Sequence, residues 1–142
     1  MKILFPVLAL LLPSLARADV RDDLKKIDAT MRACLAADES GSDAVMKVCT
    51  GTALKAADKV LQDSYQAEVD RLQKQPDVEN VEYLKRLRLA ERAWVVYRDA
   101  NASLSGIIMF EGTGESLEIL STKLEMTKDR VLELEELFHH EL

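Results

Sequence analysis

Glycine, proline and aromatic side chains are all scarce in this chain, which has 5 Gly, 3 Pro, 3 Tyr, 3 Phe and a single Trp among 142 residues. A β-sandwich needs turn residues every ~8–12 positions, so the shortage excludes it and leaves an all-α protein of one domain. An excess of positive charge is missing as well. Lys and Arg number 19 against 25 Asp and Glu, a formal charge of −6. Binding phosphates requires basic residues in excess on one face, so nucleic acid is not a partner. Charged residues make up 31% of the chain and are spread along it, which excludes a polytopic membrane protein, while 48% apolar content is too high for a disordered one.

The one long hydrophobic run lies at the start. Met1-Lys2 is a short basic opening, Ile3 to Leu12 is almost unbroken apolar, and Ala16-Arg17-Ala18 places small residues where a signal peptidase reads them. Residues 1–18 are therefore expected to be a cleaved secretory signal. The run is shorter than the ~20 residues a membrane span needs, and no Cys follows it to take a lipid. Cleavage before Asp19 leaves a domain over residues 19–142, with 17 basic against 25 acidic side chains and a charge of −8. The expected location is the periplasm or the medium.

Only two cysteines are present, Cys34 and Cys49. In an oxidising compartment they read most simply as one disulfide, worth about 3 kcal/mol in the chain-entropy model. The rival readings are weaker, because there is no C-x-x-C for exchange and a zinc site needs at least two further ligands.

Apolar periodicity divides the domain into four amphipathic helices. Val20, Leu24, Ile27, Met31 and Leu35 share one face up to about Ala37. After the turn Asp38 to Ser42, with Ser42 as N-cap, a second helix runs to about Gln73 on Leu54, Ala57, Leu61, Tyr65 and Leu72. Gln75-Pro76-Asp77 breaks it. A third helix carries Tyr83, Leu87, Ala90, Trp94, Tyr97, Asn101, Leu104 and Ile108, a seam about 39 Å long at 1.5 Å per residue. A fourth carries Leu117, Leu120, Leu124, Thr127, Val131, Leu134 and Phe138. Seams of this spacing joined by short connections predict an up-and-down antiparallel bundle of about four helices, with one disulfide stapling its first hairpin. Ala53, Ala56, Ala57, Ala90, Ala93 and Ala100 are read as sites of close helix packing rather than the lining of a ligand cavity.

The order Cys49, then Ala57-Asp58-x-x-Leu61-x-x-x-Tyr65, then Ala90-x-x-Ala93-Trp94-x-x-Tyr97-Arg98-Asp99, then Thr127-x-x-Arg130-x-x-x-Leu134 resembles the LprI-like lysozyme-inhibitor family. The resemblance covers about Cys34 to Leu137, and the Ala-Trp-x-x-Tyr-Arg-Asp run is its most specific part. It implies a small exported helical protein that binds lysozyme, without catalysis or cofactor. This chain departs from the family's pattern in two places. Ala102 and Thr122 stand where the family usually has a second cysteine pair, and Gln62 where it often has Asn. Helices three and four are accordingly expected to be joined by packing alone.

No catalytic motif is present. The chain lacks Gly-x-Ser-x-Gly, a P-loop, His-Glu-x-x-His and Gly-x-Gly-x-x-Gly. Glu136-x-x-His139 has di-iron spacing, yet that chemistry wants two such motifs and two further Glu, so no metal is expected. Trp94 and Tyr97 fall in the seam and read as core aromatics. Arg98 borders it, and a partly buried Arg98–Asp58 pair is expected to lock two helices together.

The segment Phe110, Glu111, Gly112, Thr113, Gly114, Glu115 and Ser116 is the candidate partner-binding loop. Its glycines allow close backbone approach and Phe110 supplies an apolar anchor. The plainer reading is a helix connection with Gly112 as C-cap. Two functions remain open: an acidic inhibitor that occludes a basic cell-wall-cleaving lysozyme, or a periplasmic interaction or immunity module for another envelope partner.

Overall fold

The computed structural model describes residues 19–139; the expected signal peptide lies outside them. The four helices are α1 (Val20–Ala36), α2 (Asp43–Lys74), α3 (Val78–Gly106) and α4 (Glu115–His139), with a single 3-10 turn, Ile107–Met109, after α3. Each of the first three starts on a side-chain cap. Asp19 accepts from the Arg21 N–H at 2.9 Å, Ser42 from Val45 at 3.4 Å and Asp77 from Asn80 at 2.8 Å, each satisfying a donor that the first turn leaves without a partner. Ser42 thus caps α2 as its sequence context predicts.

The helices pack antiparallel, as expected, and α4 lies at the centre. It packs along α2 and α3 and also touches α1, while α1 lies mainly on α2. Burial follows the predicted seams on three helices. Val20, Leu24 and Ile27 of α1, Ala57, Leu61 and Leu72 of α2, and Leu124, Val131 and Leu134 of α4 form one apolar core. Removing a Val, Leu or Ile side chain from water contributes about 1.5–3 kcal/mol. The Cys34–Cys49 disulfide forms with 5.8 Å between Cα atoms, tying the end of α1 to the beginning of α2.

Helix α3 corrects the sequence reading. Of its expected seam, Leu87 is buried and Tyr83, Trp94 and Asn101 are half-buried, but Ala90, Tyr97, Leu104 and Ile108 face solvent. Tyr97 is 59% exposed, so it is not a core aromatic. The inward stripe is instead Leu84, Leu87, Glu91, Trp94, Arg98, Ala102 and Ser105. Periodicity locates the apolar face of a helix, and on α3 part of that face points outward because charged and small residues take the inward positions. Of the alanines expected at close helix contacts, Ala53 and Ala57 sit in the core, whereas Ala56, Ala90, Ala93 and Ala100 are exposed and make no such contact within the bundle.

Candidate functional site

Two structures are built on the residues singled out by sequence. One is a polar latch between helices. Arg98 reaches inward from α3, its side chain only 13% exposed, and Nη1 donates to Asp58 Oδ1 on α2 at 2.8 Å and to Thr127 Oγ1 on α4 at 3.1 Å. The expected Arg98–Asp58 pair is therefore present, and a single guanidinium ties together three helices. Its plane lies over Trp94, 5.1 Å from the ring centroid, and Arg130 lies 5.8 Å from the same ring. This is the range in which a cation is attracted by an aromatic face.

Arg130 in turn donates through Nε and Nη2 to Glu91 Oε2 at 3.2 and 3.1 Å, both side chains 15% exposed. Asp99 accepts from Arg98 Nε and Lys123 Nζ, each at 3.1 Å. Burial works to raise the Asp99 carboxyl, but hydrogen bonds from Lys123 and Arg98, and their charges, outweigh it and hold the group below its usual value. Leu61 is buried in the apolar core and Tyr65 packs against it, whereas Tyr97 takes no part in the latch.

Sequence reasoning missed Glu91, Lys123 and Ser105. Glu91, Trp94 and Arg98 share one face at spacings of three and four, which is the signal that identifies the stripe. Ser105 corrects the expectation that α3 and α4 meet by packing alone. Its hydroxyl lies 2.7 Å from that of Thr122, so a hydrogen bond stands at the position where the resemblance anticipates a cysteine. Beside it Ala102 is fully buried. Gly106 also lets α3 approach α4 closely, since a Cβ there would stand 2.9 Å from Ile119 Cγ1.

The second structure is the connection from α3 to α4. The helix ends at Gly106, earlier than expected, so Gly112 is not its C-cap. Ile107–Met109 form the 3-10 turn, and Gly112 N–H donates back to Met109 O at 2.7 Å. A side chain at 112 would place Cβ 2.9 Å from that carbonyl oxygen, which makes glycine a requirement there. Glu111 is held at φ 57°, the one non-glycine in left-handed backbone among the described residues. Such a conformation costs on the order of 1–3 kcal/mol and collects at functional sites.

Thr113 Oγ1 donates to Asp43 at 2.7 Å, anchoring the loop to the start of α2, and the Gly114 carbonyl accepts the first bond of α4. Phe110 is 64% exposed at the tip, with Glu115 half-buried and Ser116 exposed behind it. The loop thus presents an apolar side chain on backbone held at both ends.

At the other end of the bundle a cleft of about 490 Å³ is lined by Glu68, Arg71, Asn80, Tyr83 and Phe138. Glu68 is buried and accepts two bonds from Arg71, at 2.9 and 2.7 Å. Among the described residues no group of three or more His, Cys, Asp or Glu is placed to hold a metal ion. His139 of the di-iron-like spacing is bonded to Glu135 at 2.5 Å. No described helix is long and apolar enough to cross a membrane.

A family model described as lysozyme inhibitor LprI matches residues 25–134, which takes in the latch, the loop and most of all four helices. The chain belongs to the LprI family. It is also similar to an uncharacterized protein of Rhizobium meliloti (strain 1021), at 30% identity over 98 residues that cover 65% of this chain and 70% of the relative. No solved structure matches it. Within this LprI chain Trp94, Arg98 and Asp99 build the inter-helix latch, and the disulfide accords with an extracytoplasmic location.

Proposed function

We propose that this LprI protein is exported, loses residues 1–18, and acts in the periplasm or medium as a non-catalytic inhibitor that binds a cationic lysozyme and blocks its cleft. Family membership supports lysozyme as the target. The observation that carries the binding mode is the loop Phe110 to Ser116, which holds an exposed aromatic beside a strained, glycine-braced backbone. A rigid aromatic anchor loses little freedom on binding, which is why such residues dominate interfaces.

Electrostatics brings the two molecules together. Helix α4 carries seven acidic against three basic residues, and Glu125, Asp129, Glu133 and Glu136 are exposed at spacings of four, four and three. That stripe attracts a basic enzyme at long range and raises the association rate at low salt. Short-range contact at Phe110 then sets the dissociation rate.

The test is lysozyme turnover measured with the processed protein and with Phe110→Ala. The native protein is expected to inhibit at stoichiometric excess and low salt. Phe110→Ala should weaken inhibition by about tenfold or more, as truncation of an interface anchor does. Full inhibition by Phe110→Ala would remove the loop from the interface, and no inhibition by the native protein would remove the function.

A further inference from the structure

The outer face of α3 is apolar, uncovered and patterned. Leu89, Ala93, Tyr97, Ala100 and Leu104 of α3, and Ile108 in the 3-10 turn that continues it, follow one another at spacings of four, four, three, four and four, and every one of them is exposed. That series reads the same in both directions. In an antiparallel pair of such helices, with the twofold axis between residues 98 and 99, Leu89 stands level with Ile108 of the other copy. Ala93 then meets Leu104, and Tyr97 meets Ala100. Each large side chain in the middle of the strip thus faces an alanine, the arrangement that lets two helices approach closely and interlock. A palindromic pattern is what an isologous contact requires, since residue i must meet j while j meets i.

We propose that this face is the interface of a homodimer, with α3 of one copy packed antiparallel against α3 of a second. Area supports it. Leu89, Val96, Tyr97, Leu104, Ile107 and Ile108 are 56–76% exposed; with the two alanines they offer at most about 800 Å² for burial, above the ~300–600 Å² of the largest patch on an ordinary monomer and of the size that one partner contributes to a stable interface.

Charge supports it too. Helix α3 has five basic and four acidic residues, while the processed chain is strongly acidic. Two copies therefore repel least when they meet on α3, and a cationic partner is drawn instead to α4. The proposal does not rest on lysozyme binding.

Sedimentation of the processed protein over a range of concentrations tests the oligomer. The expected result is a monomer–dimer equilibrium that Leu104→Lys shifts by at least a hundredfold toward monomer, with helical content unchanged because the side chain is exposed in the monomer. Glu125→Lys on α4 should leave the equilibrium in place. Register is read by mixing Ala93→Cys with Leu104→Cys under oxidation: the mixed pair should cross-link and neither variant with itself. A monomer at every concentration up to millimolar, or Ala93→Cys cross-linking to itself, would overturn the proposal.

Discussion

Helices α3 and α4 have similar length and equally regular apolar seams, yet they meet the rest of the molecule in opposite ways. On α4 the seam points inward, and Leu124, Thr127, Val131 and Leu134 are buried among the other helices. On α3 much of the seam points outward, and the helix is held through Arg98, Glu91, Trp94 and the Ser105–Thr122 hydrogen bond. Hydrophobic burial is non-directional and tolerates sliding, whereas a guanidinium shared among Asp58, Thr127 and Asp99 has one geometry. The apolar seam gives the bundle its stability, and the polar latch fixes the rotation of α3 about its own axis.

That contrast can be broken by substitution. Leu134→Ala on α4 should cost the most, about 2–5 kcal/mol, because it leaves a cavity in a closed core; chemical denaturation reads it directly. A cost below about 1 kcal/mol would mean that α4 is not the central element.

Arg98→Ala should cost less, about 1–3 kcal/mol, since Asp58 keeps contact with water and is not stranded. In a double-mutant cycle with Asp58→Asn a coupling of about 1 kcal/mol is expected, and additivity of the two changes would show that the pair does not lock the helices.

The smallest effect is that of pH. Asp99 is held below its ordinary 3.8, so its contribution to stability is complete above that value and is lost as pH falls from 3.8 through the lower folded value. Asp99→Asn should therefore flatten the acid limb of a stability–pH curve and leave the curve near neutrality parallel to the native one. An unchanged acid limb would count against the Lys123–Asp99–Arg98 contact.

The same contrast explains what could be read from the chain. Helices α1, α2 and α4, the Ser42 cap and the Cys34–Cys49 staple follow from local pattern and chemistry, because there the apolar side and the inward side coincide. The Arg98–Asp58 pair was legible as well, since a charged residue beside a seam needs a partner on a neighbouring helix. The rotation of α3 was not. It depends on where Glu91 finds Arg130 and where Ser105 finds Thr122, 39 and 17 residues away, and hydrophobic periodicity contains no information about polar partners so distant. The loop was recognised by composition, but the left-handed Glu111 and the contact that forbids a side chain at Gly112 arise only once Met109 is placed.

The function is tested most directly by titrating a cationic lysozyme with the processed protein in a calorimeter at low and at raised salt. Saturable binding is expected that weakens as salt rises, by more for the native protein than for a variant whose α4 acids are neutralised. Absence of binding at low salt, or binding indifferent to both salt and the α4 charges, would contradict it.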